Sequence, residues 1–293
     1  MMVHSAVYKR TVKRGLGVIS LSLLVLLIVF AGALRAEAED VVFAPRSDGA
    51  QVPLMLYGDW STASCPPTII VSHGLGGREN GLAYIGTYFS GRGYRVAVMG
   101  HKESGLPTLM RVMRTKGKDR SSVLGDPALY KARDLDVQAA LAYVSRACRP
   151  SFLALAGHSM GAATVLIEAG AKTKVGVRGQ NQFDAYVALS WQGVNAVFGE
   201  GAWSGIHRPV LLVTGTEDNG ASGDYRSRLV AFDSLPSGKK RMAIIPNASH
   251  FDIGGRDPAV HAVIVALMDE FFTMIRAGQW RASTSRAADI RDK

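Results

Sequence analysis

Five residues near the middle of the chain, Gly157-His158-Ser159-Met160-Gly161, fit the pattern Gly-x-Ser-x-Gly. A serine hydroxyl is a weak nucleophile until a neighbouring base takes its proton. Small residues two before and two after the serine let a strand turn sharply into a helix, which lifts the hydroxyl clear of the sheet. The surroundings suit that role. The apolar run Leu153-Ala154-Leu155-Ala156 leads in, and a segment rich in Ala and Leu leads out. The plain alternative is a glycine-flanked turn without chemistry, in a chain with 32 glycines. The strand before and the helix after weigh against it.

In this strand–turn–helix setting the nucleophile, an acid and a histidine follow one another along the chain. Of the seven histidines, only His207, His250 and His261 come after Ser159. His207 lies just before Pro209 and reads as a surface residue. His261 falls inside a helical pattern and reads as a packing or surface residue. His250 follows the apolar run Met242–Ile245, in the loop Pro246-Asn247-Ala248-Ser249-His250-Phe251, and is the predicted base. The predicted acid is Asp218, in Gly215-Thr216-Glu217-Asp218-Asn219 after the run Val210–Thr214. Glu217 and Asp224 are the alternatives, and a turn-forming aspartate is the bland reading. An oxyanion would need two backbone N–H groups. Met160, next to the nucleophile, supplies one. Leu75, in Ser72-His73-Gly74-Leu75-Gly76-Gly77, is expected to supply the other, with His73 shaping that loop. The spacing Gly-x-Gly-x-x-Gly of a dinucleotide turn is absent there.

The elements that would position these groups alternate along the chain, which argues for βαβ units and a parallel sheet. Val41–Phe43 and Val52–Tyr57, joined at Ser47-Asp48-Gly49, read as an opening antiparallel hairpin. Strands are expected at Thr68–Val71, Tyr94–Met99, Phe152–Ala156, Ala185–Ser190, Val210–Thr214 and Met242–Ile245. Helices are expected near 80–91, after the cap Asp126-Pro127 as far as Arg146, over Ser159–Ala171, and from Pro258 to Ile275. Residues 100–125 read as irregular, and the polar tail from Trp280 (residues 280–293) as frayed. One catalytic domain is expected over residues 39–279.

Residues 1–38 differ in kind. Lys9, Arg10, Lys13 and Arg14 precede an uncharged run, Gly15 to Leu34, and the small-x-small sites Ala31-Gly32-Ala33 and Ala36-Glu37-Ala38. This pattern reads as a secretory signal peptide. A retained membrane anchor through residues 15–34 is the alternative, because the run approaches the ~20 residues that span a bilayer. Either implies export, to the periplasm or outside the cell. The chain of 293 residues holds 34 Lys and Arg against 24 Asp and Glu, a net charge of +10. Residues 1–38 contain five of those cations and one of the acids, so the remainder carries +6. With no Lys/Arg run, that balance suits solubility and argues against a nucleic-acid partner.

At these residues the chain resembles the α/β-hydrolase superfamily, over roughly residues 41–278. Ser72-His73-Gly74-Leu75-Gly76-Gly77-Arg78-Glu79-Asn80, then Gly93-Tyr94, then Arg133-Asp134-Leu135-Asp136, is similar to its dienelactone hydrolase-like branch, near platelet-activating-factor acetylhydrolases, chlorophyllases and cutinase-like polyester hydrolases. The resemblance implies an α/β fold with a mostly parallel eight-stranded sheet, helices on both faces and no large lid. It also implies a Ser159–Asp218–His250 triad, a Leu75/Met160 oxyanion hole, carboxylic-ester hydrolysis and no metal or organic cofactor. Dienelactone hydrolases use a cysteine nucleophile, so their substrate is disfavoured here. Met99-Gly100-His101-Lys102 also departs from the usual end of the fourth strand. The same parts would serve an amidase or acyltransferase, and a non-catalytic binding protein on this fold is the reading from another class. In the superfamily's strand order, the strands after Cys65 and Cys148 are parallel neighbours, which implies a disulfide between those cysteines at the end of the sheet away from Ser159. Two free cysteines are the alternative. Trp191 and Trp203 lie in the short segment where many lipases insert a cap, and would line a substrate pocket or be buried. A shallow site there favours short-chain, soluble or surface-presented esters.

Overall fold

The computed structural model describes residues 41–61, 64–115, 123–220 and 223–293. The signal or anchor expected over 1–38 lies outside the described residues. Strands β1 (Val41–Pro45) and β2 (Gln51–Tyr57) pair antiparallel, from Val41 opposite Met55 to Pro45 opposite Gln51. Gly49 turns the chain between them at φ 85°, a region that favours glycine. Four strands follow whose residues are buried throughout: β3 (Thr68–Ser72), β4 (Arg95–Met99), β5 (Leu153–His158) and β6 (Ala185–Leu189). Strands covered on both faces need such continuous apolar runs rather than an alternating pattern. β7 (Val210–Glu217) and β8 (Lys240–Ser249) continue the parallel array.

The sheet order is β1-β2-β4-β3-β5-β6-β7-β8-β9. The block β4-β3-β5-β6-β7-β8 is parallel, and β1, β2 and β9 are antiparallel to their neighbours. Successive side chains enter opposite cores. Ile70, Leu155 and Leu212 pack with helices α3 (Pro127–Ser145), α4 (Met160–Glu168) and α5 (Arg226–Asp233). Ile69, Val71, Ala154 and Val213 pack with α1 (Ala83–Ser90) and α6 (Pro258–Ala277). Asp126 caps α3 by accepting from the Ala128 amide, with Pro127 in the first turn. Among the described residues, α6 is the one helix long and apolar enough to cross a membrane. Its apolarity is used on the sheet, where Ile264, Leu267, Phe271 and Phe272 are buried.

Three expectations need correcting. Among the described residues the sheet is mostly parallel but mixed, and it has nine strands where eight were expected. The ninth, β9 (Asp289–Asp292), comes from the stretch expected to fray and runs antiparallel to β8, with Arg241 opposite Asp292. The physical cause is the buried guanidinium of Arg241, which donates to both oxygens of Asp292 at 2.8 and 2.9 Å and to the Arg281 carbonyl at 2.6 Å. Residues 106–114, expected to be irregular, form α2 (Leu106–Arg114), with Pro107 in its first turn where the missing N–H does no harm.

Cys65 and Cys148 are joined in a disulfide, with Cα atoms 5.9 Å apart. Each precedes one of the neighbouring strands β3 and β5, whose register begins at Thr68 opposite Leu153. The bond therefore sits at the end of the sheet opposite Ser159, which follows the other end of β5.

Candidate active site

Ser159 occupies the turn between β5 and α4 at φ 56° and ψ −116°, a conformation that side chains resist. Its glycine neighbours make the turn feasible. A Cβ at Gly161 would lie 2.0 Å from the Ser72 carbonyl oxygen, and one at Gly157 would lie 2.5 Å from that of Gly161. The Ser159 N–H donates to the Leu189 carbonyl at 2.9 Å, which ties the turn to the end of β6.

His250 follows β8 and brings its Nε2 to 3.0 Å from Ser159 Oγ. Its Nδ1 lies 2.8 Å from Asp218 Oδ1. With Nδ1–H donating to the carboxylate, Nε2 is left to accept from the serine hydroxyl, the geometry that proton transfer requires. Asp218 follows β7 and is fully buried. Thr214 Oγ1 donates to its Oδ2 at 2.9 Å, and Arg228 Nη2 donates to its Oδ1 at 3.0 Å. Burial pushes this carboxyl upward, but the His250 hydrogen bond and the Arg228 guanidinium outweigh it and hold the group below the usual aspartate range. The alternatives stand elsewhere: the Glu217 side chain is exposed, and Asp224 pairs with Arg226.

Residues without a predicted role hold these three in place. Arg228, on α5, spans Asp218 and the Trp191 carbonyl, to which its Nε donates at 2.6 Å. His158 Nε2 donates to the His250 carbonyl at 3.0 Å. Burial and the adjacent His250 push His158 down to about 3, so its ring is neutral. No spacing signal marks Arg228 in the sequence. His158 is the variable position inside the motif itself.

The turn carrying Leu75 rests on a buried polar chain. Arg133 Nη1 donates to the His73 carbonyl at 2.9 Å and to Ser72 Oγ at 3.2 Å, and its Nε donates to Ser104 Oγ at 2.9 Å. His101 Nε2 accepts from Ser72 Oγ at 2.8 Å, while its Nδ1–H donates to Asp136 Oδ2 at 2.7 Å. Arg46 Nη1 completes the chain at Asp136 Oδ1, 2.9 Å away. His73 closes the turn by donating from Nδ1 to the Gly74 carbonyl at 2.6 Å and accepting the His101 N–H at Nε2, 3.1 Å away. Burial lowers both His101 and His73 and keeps them neutral, and the nearby Arg133 guanidinium adds to the effect in each. Arg133 and Asp136 stand three apart on α3, a spacing that places them on one helix face. The turn uses the Gly76 N–H on the Ser104 carbonyl and the Gly77 N–H on that of Gly74. Met160 opens α4, where a helix leaves its N–H without an intrahelical acceptor.

A cavity of about 570 Å³ opens above Ser159 and His250. Leu75 lines it together with Leu82, Leu109, Val112 and Leu124. Trp191 and Trp203 do not. They are 0% and 1% exposed, which corrects the expectation that they line the pocket. Trp191 is held inside by its Nε1–H, which donates to the Arg228 carbonyl at 3.1 Å, and Trp203 packs on Phe198. His261 stacks on Tyr84, and His207 is exposed and precedes β7, at the end of the sheet away from Ser159, so neither competes for the role of base. Among the described residues, no group of three or more His, Cys, Asp or Glu is arranged to hold a metal ion. In comparisons with known proteins, no family model matches the chain, and no curated protein matches it either.

Proposed function

We propose that this chain is a serine carboxylic-ester hydrolase of the α/β-hydrolase type. One observation carries the reading: the unbroken line from Ser159 Oγ through His250 to buried Asp218, with contacts of 3.0 and 2.8 Å. Ser159 attacks the ester carbonyl while His250 takes its proton. The oxyanion is received by the Leu75 and Met160 N–H groups, and His250 returns the proton to the leaving alcohol. Water then repeats the sequence on the acyl-enzyme. Asp218 orients His250 and stabilises its cationic form. The strand order, with Ser159, Asp218 and His250 after β5, β7 and β8, supports the superfamily. The Arg133-to-Asp136 motif, used here to hold the 72–77 turn, supports the dienelactone hydrolase-like branch. The Cys65–Cys148 disulfide favours an oxidising compartment, and with it export through residues 1–38, cleaved or retained as an anchor.

A fluorophosphonate probe tests this directly. It should label the wild type at Ser159 and leave Ser159→Ala unlabelled. The variant should also lose ester hydrolysis by a factor on the order of 10⁴ or more. A variant that keeps a tenth of wild-type turnover would mean another nucleophile.

A further inference from the structure

We infer that the acyl chain of the substrate lies along α2, in an apolar trough of Leu75, Leu109, Val112, Met113 and Leu124, so that the site selects esters of uncharged, medium-length acyl groups. The inference rests on the esterase reading and adds the direction and chemistry of the acyl group.

Direction follows from the mechanism. The group that takes the serine proton hands it to the leaving oxygen, so the alcohol must sit beside His250 Nε2. That side is walled by Asn219, Gly220 and Phe251. Gly220 packs close to the ring, where a Cβ would come within 2.8 Å of His250 Nδ1. The carbonyl oxygen points to the Leu75 and Met160 amides. The remaining substituent, the acyl chain, is left the opposite wall, formed by α2 and Leu124. α2 is fixed beside the oxyanion turn, because Leu109 packs where a Gly76 side chain would be, 2.4 Å from the ideal Cβ.

Chemistry follows from the lining. Among the described residues, no Asp, Glu, Lys or Arg lines the cavity. A charged acyl group would lose its hydration there without gaining a partner. Val112 is buried at the trough's inner end, while Met113 is 60% exposed at its rim. Leu106 and Met110, at 45% and 39% exposed, extend the same stripe outward at helical spacing. A contiguous exposed apolar stripe that leads into an apolar cavity is the pattern of a ligand groove. Of the cations of α2, Arg111 lies on the side away from Leu109 and Met113 by the period of 3.6 residues, while Arg114, four residues after Met110, flanks the outer edge of the stripe. The trough reverses the expectation of a short-chain preference.

Each methylene buried in the trough should multiply kcat/KM by roughly four. The experiment compares p-nitrophenyl acetate, butyrate, octanoate and hemisuccinate with the full chain. Octanoate is expected to exceed acetate by at least about tenfold, and the anionic hemisuccinate to fall well below butyrate. Val112→Trp, which fills the inner end, should lower the octanoate-to-acetate ratio about tenfold. Met113→Ser, at an exposed position where folding is not at stake, should lower it severalfold. A flat or falling chain-length profile overturns the assignment, as does an unchanged ratio in Met113→Ser. The two readings fail differently. An enzyme labelled at Ser159 that prefers acetate removes only the trough. A chain that takes no fluorophosphonate and cleaves no ester removes the esterase reading and the trough with it.

Discussion

Nδ1 of His101 stands 2.7 Å from Oδ2 of Asp136, and the same ring meets Ser72 Oγ at 2.8 Å. In residue types and contacts this matches the arrangement at Ser159, but Ser72, His101 and Asp136 are all buried. No substrate reaches them, and what they touch is the turn that presents Leu75. His101→Ala should therefore leave KM nearly unchanged and lower kcat by roughly ten- to a hundredfold, less than the loss of an oxyanion donor outright. Steady-state kinetics on the folded variant decide it, and a wild-type kcat would show that the turn holds without His101.

Asp218→Asn keeps the shape of the acid and removes its charge. The amide can donate to His250 Nδ1, which puts the proton on Nε2 and leaves nothing there to accept from Ser159. A drop in kcat on the order of 10⁴ is expected, with the fold intact by circular dichroism. A loss below tenfold would place the working acid elsewhere.

Arg228 and Asp218 form a buried ion pair, and removing one partner strands the other. Arg228→Met should cost about 3–5 kcal/mol in denaturant unfolding. The pH dependence should change too. The depressed carboxyl of Asp218 stabilises the fold above the unfolded aspartate value of 3.8, and that contribution is lost as pH falls through the lower folded value. Without Arg228, burial raises the folded value, so acid unfolding should begin at higher pH. An unchanged acid midpoint would mean that His250 alone holds Asp218 ionised.

Glu168 gives the opposite sign. Burial and the adjacent Asp134 carboxylate raise its carboxyl well above the ordinary 4.5. The folded state then keeps a proton that the unfolded chain releases. Its stabilisation is complete below pH 4.5 and is lost as pH rises toward the folded value. Glu168→Gln carries a permanent donor toward Asp134 and keeps an acceptor for the Gln180 N–H, which Glu168 Oε2 receives at 3.2 Å. Above neutrality the variant should melt a few degrees higher than the wild type, the scale of about 1 kcal/mol in a domain this large. Parallel melting curves across the pH range would count against the trapped proton.

Replacing Cys65 and Cys148 together by serine should cost about 2–5 kcal/mol of stability. Turnover per folded molecule should stay near wild type, because the bond lies at the far end of β5 from Ser159. A loss of kcat in the folded variant would mean that this end of the sheet reaches the site.

That Ser159, Asp218 and His250 come together is legible because each follows an apolar run at the same end of the sheet, and such runs can be read without knowing their partners. The disulfide was legible only through the resemblance, whose strand order makes the strands after Cys65 and Cys148 neighbours. The rest depended on tertiary contact. Trp191 and Trp203 are large and amphipathic, which suits a pocket as well as a core, and only the Arg228 carbonyl decides for Trp191. Asp289–Asp292 reads as a polar tail because an edge strand needs no apolar run, and its partner is an arginine in β8. Leu106–Arg114 is short and opens with a proline, so its periodicity is hidden until Leu109 meets Gly76.

The bond between Cys65 and Cys148 encloses a stretch of chain that includes β3, the Leu75 turn, α2 and all of α3. A protease that nicks the backbone anywhere inside that ring produces two fragments that stay covalently tied. On a denaturing gel the nicked protein would migrate as a single species until a reductant is added. The groups that would bind the oxyanion and the acyl chain thus stay tethered to the nucleophile after the chain itself has been cut.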